Sequence, residues 1–515
     1  MELAVAWKKL LYRHLKGRAE PLFLFPEQAA SAAALWMGVR LWMQRWETGD
    51  PIVFSGLPAG PEYIEVLAAT LARQGTFIAG HPERGAGFLL NEVQSWQPDY
   101  VVLPRGSDLE VPGYRVCEEV NEHRNAVLLG RRPGYEDLQI NHPLRRRLAN
   151  TDRRIVLATS GTSGGNAKWS ILSDRNLFSV LRTHIPALGI RKRTTLSVLP
   201  WNHAFGLVLD LLPSLFGART VVRDNPSSMQ RFGHLQDRFS IDYMSAVPAL
   251  LERWFASDSV QRIHKFKGGL LGGAPINVEL AERLRGSRFR VGYGQTEASP
   301  GVTLGQPGQF HEGFLGKARG CEVRLQDGQL EYRGPNVCSA LVSFPGTISE
   351  QPGSKSLSQS LRETIQSRME ALDNSMTLRS ADQWQRTGDI AELHDAGFVF
   401  LGREDYNFKL SNGRFLDVIH LERQLSDSTG HRCFVVPLNG GMQIFVVAED
   451  SSDRDSILSS PEMRAEMETR LREQLGRLSG YIRTIHVIPS SRLPLNAKGI
   501  VLRSELPAIR EVSYA

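Results

Sequence analysis

A short apolar run, Arg154-Ile155-Val156-Leu157, leads directly into Ala158-Thr159-Ser160-Gly161-Thr162-Ser163-Gly164-Gly165-Asn166-Ala167-Lys168. The run reads as a buried strand, and Ser173-Asp174-Arg175-Asn176 reads as the opening of a helix. Glycine tolerates the dihedrals that curl backbone N–H groups around an anion, and it leaves the anion room. Thr159, Ser160, Thr162 and Ser163 add hydroxyl donors, and Lys168 adds positive charge. The pattern is not G-x-x-x-x-G-K-[ST], so it is not the common P-loop. Its two readings are a phosphate-holding turn and a polar surface loop.

The surroundings of this loop set the fold class. A helical pattern over about 28–46 carries Trp36, Val39, Trp42 and Trp46 on one stripe, which reads as core. Pro51-Ile52-Val53-Phe54 then reads as a buried strand, 61–74 as a helix, and Phe77-Ile78-Ala79, Tyr100-Val101-Val102-Leu103 and Asn125-Ala126-Val127-Leu128-Leu129 as strands. After the loop come a strand at Thr195-Leu196-Ser197-Val198-Leu199, an apolar helix over 205–216, and strands at Tyr243-Met244-Ser245-Ala246-Val247 and Gly268-Gly269-Leu270-Leu271. A helix over 277–285 and a strand at Phe289-Arg290-Val291 follow. Such alternation means α/β architecture with mainly parallel sheets. From about 313 to 343 the pattern turns to short strands, a small β-rich subdomain. Residues 346–382, rich in Ser and Gln around an amphipathic piece at about 358–372, read as a surface insertion. We divide the chain into a large N-terminal domain, 1–402, and a small mobile α+β C-terminal domain, 403–515, with a long helix at about 461–478.

A chain of 515 residues is long enough for two or three such units. The net charge of +6 suits an anionic ligand, but the basic residues are scattered. Without continuous basic stripes interleaved with aromatics, a nucleic-acid partner is not expected. Cys117, Cys321, Cys338 and Cys433 lie too far apart for a zinc pattern and read as reduced, mostly buried thiols of a cytoplasmic protein. Near the N-terminus, Leu3, Trp7, Leu10, Leu11 and Leu15 share one helical face opposite Lys9, Arg13 and Lys16. Such a helix suits a membrane surface. Packing on its own domain is the better reading.

Several further motifs sit where predicted strands end, the place where open α/β sheets bind ligands. They are Leu199-Pro200-Trp201-Asn202-His203-Ala204-Phe205-Gly206, Gly272-Gly273-Ala274-Pro275, Gly292-Tyr293-Gly294-Gln295-Thr296-Glu297 and Thr387-Gly388-Asp389. Gly402-Arg403-Glu404-Asp405 and Phe408-Lys409-Leu410-Ser411-Asn412-Gly413 follow. Singly each has an ordinary explanation: Glu297 as a carboxylate at a helix start, Asp389 as a turn residue, Tyr293 as a core aromatic. In this order and spacing they resemble, over about residues 49–505, the adenylate-forming superfamily of acyl- and aryl-CoA synthetases, acyl-AMP ligases, adenylation domains and luciferases.

The resemblance implies that a carboxylate attacks the α-phosphorus of ATP to give an acyl-AMP and pyrophosphate, and that a thiol then takes the acyl group. Two anions must meet, so cations and oriented donors have to offset their repulsion. By resemblance, Thr159, Ser160, Gly161, Thr162, Ser163, Gly164 and Lys168 hold the β- and γ-phosphates. Glu297 places Mg²⁺ and Thr296 contacts the α-phosphate. Tyr293 and Gly294 face the adenine, and Gly272, Gly273, Ala274 and Pro275 form the opposite wall. Asp389 accepts the ribose hydroxyls with Arg403 beside it. His203 matches the aromatic gate of the acyl and thiol path, and Asp405 matches the hinge of the small domain. The loop departs from the family's T-S-G-T-T-G-x-P-K-G by one extra residue and a missing proline.

A larger departure lies at the C-terminus. The family carries a lysine in L-P-x-N-x-x-G-K-x-x-R that bridges carboxylate and α-phosphate. Here Leu493-Pro494-Leu495-Asn496-Ala497-Lys498-Gly499-Ile500-Val501-Leu502-Arg503 puts Ile500 at that position and Lys498 two residues earlier. Three readings stand: Lys498 serves through a shifted loop; adenylation is slow or absent and only the second half-reaction runs; or the chain is a silent ATP- and acyl-binding homologue. We take the first. For the substrate, Ala204 stands where amino-acid-activating relatives carry an aspartate, so an α-amino acid, whose ammonium would be desolvated without a partner, is disfavoured. The Phe408–Gly413 stretch resembles fatty-acyl and feruloyl-type relatives, and the small ligases of menaquinone biosynthesis are another neighbour. A fatty or aryl acid is expected, with coenzyme A or the phosphopantetheine thiol of a free-standing carrier protein as acceptor.

Overall fold

The computed structural model describes residues 6–16, 21–26, 28–47, 49–119, 126–159, 168–226, 228–255, 260–344, 357–406, 408–411, 415–416, 418–448, 460–495, 501–503 and 505–509. Among these, the strands form a nine-stranded sheet, a thirteen-stranded sheet, a three-stranded sheet and a two-stranded ribbon.

The nine-stranded sheet is parallel at its centre, where Ile155–Ala158, Thr76–Ala79, Ile52–Ser55 and Tyr100–Pro104 lie side by side. Antiparallel strands flank it, Lys168–Leu172 and Ala340–Ser343 on one side, Ala126–Arg131 and Tyr114–Glu119 on the other. The thirteen-stranded sheet is parallel from Pro21–Leu24 through Thr220–Arg223, Thr194–Ser197, Tyr243–Ala246 and Gly268–Leu271 to Phe289–Tyr293. It then turns antiparallel, through Thr303–Leu304, Phe314–Ala318, Gly397–Arg403, Gln385–His394, Gln329–Arg333 and Glu322–Gln326. That antiparallel half takes in most of the β-rich part expected at about 313–343, together with residues 385–403, while Ala340–Ser343 joins the nine-stranded sheet instead. Ile52–Ser55, Thr76–Ala79 and Gly268–Leu271 are buried at every position. This is why they read as unbroken apolar runs rather than alternating ones.

Helices fill the space between the two large sheets. One core cluster joins Val53, Phe77 and Leu157 of the first sheet with Phe23, Val221 and Leu270 of the second. Between them lie Trp42, Leu67, Leu181 and Leu212, from helices Ala32–Arg45, Pro61–Ala72, Asp174–Leu188 and Leu212–Gly217. The N-terminal helix Ala6–Leu15 belongs to the same cluster, with Trp7, Leu11 and Leu15 fully buried. Its apolar face is therefore spent on its own domain. No helix among the described residues is long and apolar enough to cross a membrane.

Trp7 does more than fill space: its indole Nε1 donates to Asp174 Oδ1 at 2.5 Å. Asp174 in turn pairs with Arg154 at 2.8 Å, both side chains being inaccessible. Trp7→Phe keeps most of the ring and deletes the donor to a buried carboxylate. It is expected to cost about 1.5–3 kcal/mol, the usual worth of a hydrogen bond to a charged group. Urea unfolding monitored by far-UV circular dichroism checks this, and an unchanged midpoint would show that the bond carries no weight.

Two sequence expectations need correcting. The segment 346–382 is more than a surface insertion. Helix Leu357–Asn374 packs through Ile365, Met369 and Leu372, a stripe at helical spacing, and Met376–Leu378 adds an edge strand to the nine-stranded sheet. This helix is the amphipathic piece expected at about 358–372. Cys117 is exposed rather than buried, because it lies on the sheet's edge strand Tyr114–Glu119.

Toward the C-terminus, Arg432–Leu438, Gly441–Ala448 and Ile482–Pro489 form the three-stranded sheet, backed by helices Val418–Thr429 and Pro461–Leu475. Leu425, Val435, Ile444 and Leu471 give this unit a core of its own. Arg503 Nη2 holds Glu422 Oε2 at 2.6 Å and so ties the end of the chain to it.

Candidate active site

The glycine loop leaves strand Ile155–Ala158 and returns into strand Lys168–Leu172, and Thr159 N donates to Lys168 O at 2.7 Å to close its base. Ser160, Gly161, Thr162, Ser163 and Gly164 lie outside the described residues. Beyond the second strand, Ser173 caps helix Asp174–Leu188 in a reciprocal capping box with Asn176. Asn176 Nδ2 also donates to Pro335 O at 2.7 Å and Val337 O at 2.6 Å. Cys338 N, next in the chain, donates to Glu297 O at 2.9 Å. The exit of the glycine loop and the Glu297 turn are thus fastened to one segment.

Glu297 and Thr296 form a single turn, Thr296–Ala298, just past the carboxyl end of strand Phe289–Tyr293. A Cβ on Gly294 would lie 1.3 Å from the Pro300 carbonyl oxygen, so only glycine lets the chain fold back here. The turn leaves Glu297 half-buried. Burial raises its pKa above the usual carboxylate range, against the pull of Arg379, Lys168 and Arg403. A carboxyl with cations near it can take part in a site for anions or a metal.

The paired strands Gln385–His394 and Gly397–Arg403 put Asp389 opposite Arg403. Arg403 Nη1 donates to Asp389 Oδ1 at 3.0 Å, and the Tyr293 hydroxyl donates to Asp389 Oδ2. Asp389 N is held by Thr387 Oγ1 at 3.0 Å. Between them Gly388 takes φ +78°, and a Cβ there would sit 3.0 Å from Arg403 Nη2. Burial and the Asp389 carboxylate push the Tyr293 hydroxyl well above its ordinary pKa, so it stays a donor. Gly272, opening the Gly272–Pro275 segment after strand Gly268–Leu271, packs against the Gly292 carbonyl beside Tyr293.

His203 joins a different group. It follows the buried strand Thr194–Ser197 and lies 5.6 Å from His81, ring centre to ring centre. Its neighbour Phe205 reaches the Gly272 wall, which links the two groups. Next to it Trp201 Nε1 donates to Ser197 Oγ at 3.0 Å, and Ser197 Oγ donates to Asp210 in the π-turn Leu207–Leu211. A cavity of about 610 Å³, lined among others by Phe25, Leu57, Pro61, Arg105 and Arg223, opens near this turn. Arg223 there holds the Ser197 and Leu199 carbonyls at 2.8 and 2.9 Å. Among the described residues, none of the expected nucleotide-site residues lines it.

Burial raises the Asp210 carboxyl to about 7, although Ser197 and Arg223 pull it down. In the folded protein Asp210 therefore keeps a proton that the unfolded chain loses at the ordinary carboxylate value of 3.8. Its contribution to stability is full below that value and is lost as pH rises through about 7. Asp210→Asn is expected to flatten the stability–pH curve between those values and to gain most above them. Urea midpoints across that range test this, and parallel curves for the two proteins would refute it.

Asp405 lies in the turn Glu404–Tyr406 directly after strand Gly397–Arg403. Leu495 and Val501 are antiparallel bridge partners, so the chain enters and leaves 496–500 at one place. Lys498 and Ile500 themselves lie outside the described residues. Arg379 was missed in the sequence. It ends the segment read as an insertion, and only the edge strand Met376–Leu378 brings it near Glu297.

A model of the AMP-binding enzyme family matches residues 49–341. The chain belongs to that family. This AMP-binding enzyme is 25% identical over 429 residues to a long-chain-fatty-acid–CoA ligase of Yersinia pestis, covering 77% of this chain and 67% of the relative. It is 23% identical over 486 residues to a feruloyl-CoA synthase of an Amycolatopsis species, covering 89% and 88%. Its fold matches that of an O-succinylbenzoate coenzyme A synthetase from Bacillus subtilis solved in complex with AMP, with a TM-score of 0.67, 18% identity and 98% of each chain covered. The expected class, an AMP-forming acid–thiol ligase, agrees with these relatives.

Proposed function

We propose that this AMP-binding enzyme uses ATP to activate a fatty or aryl carboxylic acid and passes the acyl group to a thiol. One observation carries the reading: Glu297 with Lys168, Arg379 and Arg403 about it, beside the Tyr293–Asp389–Arg403 constellation. The curated relatives, ligases that join long-chain fatty acids or a ferulic-type acid to coenzyme A, support the substrate class.

In the first step a carboxylate oxygen bonds to the α-phosphorus, the bond to the bridging oxygen breaks, and pyrophosphate leaves. Lys168 and Arg379 offset the charge on the departing phosphates. Thr296 donates to the α-phosphate. Asp389 exchanges its present partners for ribose hydroxyls, while Arg403 stays alongside and Tyr293 and the Gly272–Pro275 wall flank the base. Glu297, a half-buried carboxylate, fits a hard cation that takes one carboxylate plus substrate phosphates, so it is the residue that would hold Mg²⁺. That ion would add charge neutralisation at the phosphates. Lys498 bridges the carboxylate and the α-phosphate. In the second step a thiolate attacks the acyl carbonyl carbon and AMP leaves.

We place the boundary between the large and small domains at 402/403 and the pivot at Asp405. The separate core around Leu425, Val435, Ile444 and Leu471 supports a small unit able to turn as a body. Coenzyme A is the preferred acceptor, with a free-standing carrier protein the second choice.

The test is pyrophosphate release from ATP and Mg²⁺ with a panel of fatty and aryl acids, with hydroxylamine as trap. Release that depends on one acid supports the reading and names the substrate class. ATP binding without release for any acid overturns it in favour of the silent homologue, the reading that Ile500 favours.

A further inference from the structure

His81 follows strand Thr76–Ala79 of the nine-stranded sheet, and Glu83 sits in the single turn Pro82–Arg84 after it. His203 comes from the other sheet, on the turn beyond Thr194–Ser197. One donor atom from each of these three residues lies within 4.8 Å of the others. The ring of His81 cannot wander. Its Nδ1 meets Glu92 Oε1 at 2.7 Å, its backbone N–H donates to Glu92 Oε2 at 3.1 Å, and Trp169 and Phe88 pack edge-on against it. Both His81 and Glu92 are buried. With Nδ1–H given to the carboxylate, Nε2 carries the free lone pair. Glu83 is also held, since Asn202 Nδ2 lies 2.9 and 3.0 Å from its two oxygens.

We propose that His81, Glu83 and His203 form a site for a divalent transition metal of the zinc class. Two imidazole nitrogens and one carboxylate oxygen are the donor set of open zinc sites, which leave a fourth position for water or a ligand oxygen. Imidazole donors select zinc, copper, nickel or iron over magnesium, so the site differs in kind from the all-oxygen position at Glu297. The carboxylate behind a ligating histidine, here Glu92, is the outer partner that fixes tautomer and ring direction. Two carboxylates, Glu83 and Glu92, match the charge of one divalent ion. Tetrahedral bonds of about 2.0–2.1 Å place donors about 3.3 Å apart. Closing the present spread takes small shifts of Glu83, which is exposed, and of His203, which is half-buried, around the fixed His81. The metal ties a turn of one sheet to a turn of the other. The site stands on this geometry alone.

The experiment adds Co²⁺ to metal-stripped full-length protein, without ATP or acid, and records visible d–d absorption. One Co²⁺ per chain, with the intense band of a four- or five-coordinate site and displaced by Zn²⁺, is expected. His203→Ala and Glu83→Gln should abolish the band, and Glu92→Gln should weaken binding about 10- to 100-fold while keeping the ligands. His394→Ala, an exposed histidine elsewhere, should leave it unchanged. Circular dichroism confirms that each variant is folded. An absent band, or one indifferent to His203→Ala and Glu83→Gln, overturns the proposal. Because no nucleotide is present, neither outcome depends on whether the protein adenylates an acid.

Discussion

Asp174→Ala is expected to destabilise the protein by about 3–5 kcal/mol, the cost of removing one partner from a buried ion pair. Asp174 and Arg154 have no solvent access, and burial alone pushes the carboxyl up and the guanidinium down in pKa. Each charge is tolerated because the other stands 2.8 Å away. Without Asp174, the guanidinium keeps only neutral oxygens, those of Gln74 and Asn150 at 2.7–2.9 Å and the Arg153 and Gly75 carbonyls at 3.1 and 3.5 Å, to offset its charge. Trp7 loses its acceptor as well. The damage falls at the foot of the strand pair that carries the glycine loop and where the helix after it starts, so loosening there is expected to weaken ATP binding too. Urea midpoints measure the first effect. The double variant Arg154→Met with Asp174→Leu completes the argument, since replacing both charges with apolar volume should recover most of the loss. If the single variant lost less than about 1 kcal/mol, the range of an exposed pair, the buried pairing would be wrong.

Lys498→Ala is expected to slow acid-dependent pyrophosphate release about a hundredfold, on the order of 3 kcal/mol in the barrier, with little change in ATP affinity. The reasoning is electrostatic: two anions approach, and a cation placed between them acts mainly in the transition state. Leu495 and Val501 close the segment that holds Lys498 and bring both of its ends to one place. Thioester formation from a synthetic acyl-AMP should survive the change, because that step no longer joins two anions. Ile500→Lys in the Lys498→Ala background should restore much of the rate if the cation, and not its position in the sequence, is what matters. Full activity in Lys498→Ala would remove this residue from the mechanism.

Much of the fold is legible in the sequence because its central strands are buried on both faces. Gly268–Leu271 reads off residue for residue as an apolar run, and Ser173 with Asn176 marks the start of its helix by hydrogen-bond chemistry alone. Edge elements are less legible. Pro21–Leu24 and Met376–Leu378 owe their conformation to partners distant in sequence, so no local pattern announces them. The same holds in the site. Glu297, Asp389, Arg403 and Tyr293 sit in motifs with recognisable spacing. Arg379 does not, for its position is set by the edge strand it ends. His81, Glu83 and Glu92 carry no motif either, and only the meeting of two sheets brings them to His203.

The strand Ala340–Ser343 has one more consequence. It pairs with Lys168–Leu172, although every strand of the other sheet's parallel half except Pro21–Leu24 intervenes in the chain. The two large sheets are therefore woven together rather than strung in series. Recombination between homologous genes that crosses over anywhere between these strands would marry a strand from one parent to a neighbour from the other. The turn Glu404–Tyr406, where the last strand of the woven part has ended, is where a foreign C-terminal unit could be exchanged with every pairing of both sheets kept intact.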